Sequence, residues 1–109
     1  MAVELPDGDC PAERFLADLE TRPQAQFKGL LERLADTGRL RSPELMRKLE
    51  VPGEPTVWEI KAHSGRGFRL YVIRRRNDWI ATHGGPKAPQ RRVRVEVRRA
   101  RNILTEWES

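Results

Sequence analysis

The sequence predicts an α+β fold in which a small antiparallel β-sheet packs against an N-terminal helical hairpin and is followed by a C-terminal helix. Three observations predict it. Residues 57–62, 68–73 and 79–82 are runs rich in β-branched and aromatic side chains, separated by Ser64-Gly65-Arg66-Gly67 and Arg76-Asn77-Asp78, the pattern of a three-stranded meander. Ahead of it, apolar residues recur at helical spacing in two blocks whose short link folds them back on one another. Behind it, Val93, Val97, Ala100, Leu104 and Trp107 recur at i, i+4, i+7, i+11 and i+14, a helical stripe.

Taken in order, residues 1–5 suit a short edge strand or a frayed end. Asp9 stands as an N-cap before Pro11, and Ala12, Phe15, Leu16 and Leu19 give a first amphipathic helix ending near Thr21. Pro23 opens a second, with Phe27, Leu30, Leu31, Leu34 and Ala35 as its apolar stripe and Gly38 as its stop. Ser42-Pro43-Glu44 combines a cap, a first-turn proline and an acid, and predicts a further helical turn or two carrying Leu45, Met46 and Leu49. Residues 51–55, with two prolines and a glycine, form a loop into the sheet. Residues 92–97 alternate strictly, as a strand would, but the longer stripe favours a helix from about Arg92 to Trp107, which sets Arg94, Arg98 and Arg101 along one face.

Alternation divides each strand between two faces. Trp58, Ile60, Ala62, Leu70 and Val72 point one way; Glu59, Lys61, His63, Arg69 and Tyr71 point the other. An antiparallel sheet commonly packs one face and wets the other, so the second group is expected to face water. A cluster of cationic and titratable groups on a rigid sheet is the most function-like feature of the chain.

A chain of 109 residues is expected to form one domain with a modest core. No run approaches the roughly 20 apolar residues of a membrane-spanning helix, and residues 1–10 lack the pattern of a signal peptide. Those readings, with a lone Cys10, lead to the expectation of a cytoplasmic protein. No Cys/His spacing resembles a zinc site. The net charge of +5 is unevenly spread: residues 1–57 carry 8 Lys/Arg against 11 Asp/Glu, and residues 58–101 carry 13 against 3. A basic block of this kind suits either an anionic partner, nucleic acid first, or a solvated surface.

The element order, with Leu49-Glu50 before a loop, Val57-Trp58-Glu59-Ile60-Lys61, Gly67-Phe68-Arg69-Leu70-Tyr71 and His83-Gly84-Gly85-Pro86-Lys87, resembles the RelE/HigB superfamily of toxin components, above all its phage-derived HigB-like branch. The resemblance implies a RelE-like fold and a ribosome-dependent endoribonuclease that cuts messenger RNA without a metal or other cofactor. It also implies partners: the ribosome, the message, and a cognate antitoxin, expected to be a small helix-turn-helix protein with a segment docked in a groove left by apolar residues of the helical hairpin, such as Phe27, Leu30 and Leu34, and of the C-terminal helix. In such enzymes the 2′-hydroxyl attacks the adjacent phosphate while cations surround the growing charge. Carried over, Arg69 takes the transition-state charge, Lys61 binds phosphate or moves a proton, Lys87 is the basic group after the last strand, and His63 or His83 serves as acid or base. Arg66, Arg74, Arg75, Arg76, Arg91 and Arg94 are the expected RNA contacts. The chain departs from the family pattern at two places. Glu59 stands where some members have a second lysine, and no tyrosine occurs in the final segment, Tyr71 being the only one. Both bear on the rate of cleavage, and they favour a second reading, a basic module that binds RNA, DNA or the ribosome without cutting.

Overall fold

A computed structural model describes residues 8–63 and 67–109. The elements are α1 (Pro11–Asp18), α2 (Thr21–Thr37), β1 (Met46–Lys48), β2 (Val57–Ala62), β3 (Phe68–Arg75), β4 (Asp78–Pro86) and α3 (Val93–Glu108), the last entered through a 3₁₀ turn at Gln90–Arg92. The strands form one antiparallel sheet in the order β1-β2-β3-β4. The α+β architecture expected from the sequence is therefore observed. The strand expected at residues 1–5 lies outside the described residues.

Both N-terminal helices lie on the same face of the sheet. The stripe of α2 buries Phe27, Leu30 and Leu34 against Ile60, Ala62, Leu70 and Val72, and α1 adds Ala12, with Phe15 and Leu16 half-buried beside them. Each fully buried side chain of this size contributes about 1.5–3 kcal/mol, so the stripe decides where α2 sits. The first helix is shorter than expected and its N-cap is Cys10; Asp9 instead accepts a 2.6 Å ion pair from Arg14. Helix α2 ends as expected at Gly38, whose φ of 76° lets its N–H turn back to Leu34 O. Trp79 Nε1 donates to Gly38 O at 2.9 Å, tying that helix end to β4.

Two expectations are corrected here. The Ser42-Pro43-Glu44 signature makes one turn only, with the N–H groups of Leu45 and Met46 both donating to Ser42 O. Residues 46–48 then run extended as β1, pairing Met46 with Ile60 and Lys48 with Trp58. A helical turn there would leave the outer edge of β2 without partners, and three residues are too few for alternation to reveal a strand. The sheet accordingly has four strands rather than three.

The second correction concerns the face expected to be wet. Val97, Ala100, Ile103 and Leu104 of α3 cover it over Val57, Tyr71, Ile73 and Ile80, making a second core on the side opposite α1 and α2. Tyr71 is 2% exposed, Glu59 4% and Arg69 6%. The helical stripe of α3 is apolar enough to demand a partner, and this half of the sheet is what it meets.

Two irregular features position the rest. Between Tyr71 and Val72 the β3–β4 register shifts, so that Tyr71 faces His83 while Val72 faces Ala81, and Thr82 is the extra residue of a bulge. Arg101 of α3 holds the loop before β2, donating from Nε to Pro55 O and from its two Nη atoms to Pro52 O, Val51 O and Gly53 O, at 2.9–3.1 Å.

Candidate functional site

Two neighbouring cross-strand rows on the α3 side hold the chemistry-bearing residues. In the first row Arg47, Glu59, Tyr71 and His83 are successive register partners across the four strands. In the second, Lys61 faces Arg69 and Arg69 faces Gly85. Side chains directly opposite on one face sit close enough to interact, so the rows share one electrostatic environment.

The first row is a chain of pairings. The Glu59 carboxylate lies 3.0 Å from Arg47 Nη2 and 3.7 Å from Arg69 Nε, with the Glu59 and Arg69 side chains only 6% and 7% exposed. Tyr71 stacks on His83 with ring centroids 4.6 Å apart, and burial, with Glu96 and Glu59 nearby, raises its hydroxyl pKa far above the ordinary tyrosine value. His83 Nε2 lies 2.7 Å from Glu96 Oε2 of α3, and its Nδ1 lies 3.2 Å from Thr82 Oγ1. A carboxylate only accepts, so Nε2 carries the proton that bonds Glu96. Burial pushes the His83 pKa down, against the Glu96 hydrogen bond that raises it, which keeps the ring neutral.

The second row is more open. Among the described residues no atom lies within 4 Å of where a Gly85 side chain would begin, which leaves space among them directly beside Arg69. Arg69 Nη1 also donates to Phe68 O at 3.1 Å and approaches to 3.8 Å from the Cβ position of Gly67, from which the Lys87 Cβ is 3.9 Å. Lys87 N donates to Gly67 O. Arg69 and the exposed Lys87 thus meet around Gly67. Lys61 is half-buried and donates from Nζ to Pro43 O at 2.9 Å, while exposed His63 sets Nε2 2.8 Å from Glu44 O. Desolvation holds the Lys61 ammonium below the ordinary lysine pKa, helped by Arg47, Arg69 and Lys87 and opposed by Glu59. Four cations close enough to influence one another, around one carboxylate, make a site whose local charge is positive.

Of the residues expected to act together, Lys61, Arg69 and Lys87 come to one end of the sheet and His63 flanks them. His83 is 1% exposed and both of its ring nitrogens are engaged within the fold. Arg74 and Arg75 lie at the other end of β3 and Arg76 just past it, Arg74 being about 17 Å along the strand from Arg69. There Arg74 stacks over Trp79, Arg75 makes two 3.1 Å bonds to Glu108, and Arg76 turns the hairpin with a φ of 57°. Arg94 lines a hollow of about 260 Å³ with Arg47 and Lys48, and Arg91 is exposed on the turn into α3. Arg66 lies outside the described residues. Sequence reading missed Arg47 and Glu96; the first belongs to the unrecognised strand β1, and the second meets His83 only through the fold. Among the described residues no three His, Cys, Asp or Glu side chains gather into a group able to hold a metal.

The sequence matches the family described as phage derived protein Gp49-like (DUF891) over residues 14–105. The chain belongs to this Gp49-like family. The family is associated with RelE-like toxins of toxin–antitoxin systems, and the α+β order of this Gp49-like chain is compatible with that fold. No curated protein and no solved structure is matched. Among the described residues of the Gp49-like chain no helix is long and apolar enough to cross a membrane.

Proposed function

We propose that this Gp49-like chain is the toxin of a toxin–antitoxin pair and acts as a ribosome-dependent messenger RNA endoribonuclease. The observation that supports it best is the pairing of Lys61 with Arg69 across β2 and β3, with Lys87 beside Arg69 and open space over Gly85. One phosphodiester seated there meets cations from three sides. The 2′-hydroxyl attacks the adjacent phosphorus and the 5′-oxygen departs, leaving a cyclic phosphate. Lys61, with its lowered pKa, is suited to moving the proton, Arg69 to holding the charge of the phosphorane, and Lys87 to the leaving side. His63 stands at the rim as the alternative proton carrier, and His83 positions Tyr71 and α3 from beneath.

A second reading, binding without cutting, is favoured by Glu59, which already occupies Arg69, and by the bond from Lys61 to Pro43 O. Primer extension on translated messages separates the two. Discrete ribosome-dependent cuts that vanish in Arg69→Ala and weaken in Lys61→Ala support the enzyme. Ribosome association with intact messages supports the binding module and sinks the enzyme.

The antitoxin belongs to the same reading. Phe27, Leu30 and Leu34, expected to greet it, are spent in the core. Two largely apolar hollows of about 370 and 470 Å³ remain beside α1 and α2, sharing Leu16, Leu31 and Ala35, and they are the proposed seat for an antitoxin segment. Loss of co-purification with the neighbouring gene product in Leu31→Glu is the expected result; unchanged co-purification argues against this seat.

A further inference from the structure

A surface outside the site described above carries an inference that rests on the RNA reading and extends it. Where α2 ends and the chain crosses toward β1, Arg33, Thr37, Arg39, Arg41 and Ser42 line a hollow of about 720 Å³. None of the three arginines takes part in an ion pair among the described residues. The acids nearest in sequence, Glu32, Asp36 and Glu44, leave them unneutralised. Arg39 is held in place over the Trp58 ring at 5.3 Å, and the Ser42 oxygen accepts from Glu44 N–H, which leaves its own hydrogen free to donate. Guanidinium groups without carboxylate partners are forks made for phosphate oxygens.

Arg33 also lines a second hollow, of about 330 Å³, whose other walls include Gly29, Leu45, Lys61 and His63. Arg33 borders both, so that a trough drawn through the two would run from Arg39 and Arg41, past Arg33, to Lys61. Its lining includes Gly29, in the middle of α2, with no other atom of the described residues within 4 Å of where a side chain would begin. A mid-helix glycine costs about 0.5–1 kcal/mol relative to alanine, and no packing within the fold requires it here. A backbone lying close to the helix surface does.

We propose that this trough is a binding site for the phosphate backbone of single-stranded RNA, which it leads to Lys61. Cations spaced along a groove with an apolar floor fit a sugar-phosphate chain whose bases lie against Leu45 and the α2 surface. The charge is local: it sits in the half of the sequence whose total is acidic.

The test uses the whole chain and a short 2′-O-methyl RNA, which cannot be cut, with binding followed by anisotropy against salt concentration. Replacing Arg33, Arg39 and Arg41 together by Gln lowers the slope of log K against log salt by about 2, since each lost phosphate contact on a single strand removes about 0.7. Gly29→Leu weakens binding by obstruction and leaves the slope unchanged, and urea midpoints confirm that both variants fold. Co-sedimentation with ribosomes, run in parallel, tells whether the bound strand is message or ribosomal RNA. A triple variant with the wild-type slope in both arms overturns the trough while leaving the nuclease reading standing. Binding of labelled poly-glutamate that is lost in the triple variant, with no RNA or ribosome binding, assigns the surface to an acidic protein and overturns it as well. Failure of messages to be cut, with RNA binding still sensitive to the three arginines, removes the nuclease reading and keeps the trough.

Discussion

Replacing Glu59 by Gln separates what the site needs to fold from what it needs to act. The Glu59 carboxylate is 3.7 Å from Arg69 Nε, and both side chains are almost fully buried. At that distance and an effective dielectric of about 20, the attraction is about 4 kcal/mol. The 3.0 Å contact to Arg47 adds little, because Arg47 is 48% exposed and solvent screens it. A neutral amide in the same place is spared part of the desolvation cost of a buried carboxylate, which offsets about 1 kcal/mol. The expected cost of Glu59→Gln is therefore about 3 kcal/mol, in the range for a buried pair that loses one member. In a chain of this size that lowers Tm by about 12 °C. Urea unfolding followed by tryptophan fluorescence measures the loss. The same change releases the Arg69 guanidinium toward the space over Gly85, so affinity for uncleavable RNA is expected to rise while stability falls. A loss under about 1 kcal/mol with unchanged RNA affinity would refute the reasoning, because Arg69 would then not be held by Glu59 at all.

Three further outcomes are expected. Arg101→Ala strips four carbonyls of the 51–55 loop of their donor; two of these bonds are part-buried, and a loss of about 2 kcal/mol in urea unfolding is expected, only partly restored by Arg101→Lys. Gly84→Ala places a methyl group inside the ring of Phe15, which must lift α1 from β4; a destabilisation of about 1–3 kcal/mol is expected from the thermal midpoint. Burial depresses the His83 pKa, so the folded protein binds fewer protons there than the unfolded chain. That contribution to stability is full above the unfolded value of about 6.5 and is lost as pH falls from there toward the depressed folded value. His83→Gln should therefore flatten the stability profile below about pH 7, which pH-dependent urea midpoints would read directly.

The sequence made some of these elements legible for physical reasons. Helix α2 carries a full apolar stripe and a stop glycine, and α3 carries a stripe longer than the strand-like alternation at its start, so tertiary packing and local pattern agree. Strand β1 was invisible because three residues hold no period and because the Ser-Pro-Glu signature ahead of it signals a helix. The burial of Glu59, Arg69 and Tyr71 was missed for a different reason: alternation assigns residues to a face but does not say which helix will cover it. Lys61, Arg69 and Lys87 could be grouped because one strand pairing and one turn fix their proximity. Arg33, Arg39 and Arg41 could not, since a charge count over residues 1–57 averages them with acids that face elsewhere. Arg101 read as one arginine of an exposed face, yet its partners are 46–50 positions away.

The extra residue at Thr82 fixes a parity. Counting by twos from Trp79 and Ala81 would carry His83 to the helical-hairpin side and turn Gly84 toward Glu96; the additional residue exchanges them, bringing the imidazole to α3 and leaving the bare glycine as a seat for Phe15. Deleting Thr82 would remove the bulge and make the β3–β4 pairing regular, with His83 next to Ala81 on the opposite face and Gly84 still toward Phe15. What the bulge preserves is the pairing on both sides of it: Tyr71 stays opposite His83 and Val72 opposite Ala81 although β4 carries one residue more than β3 there.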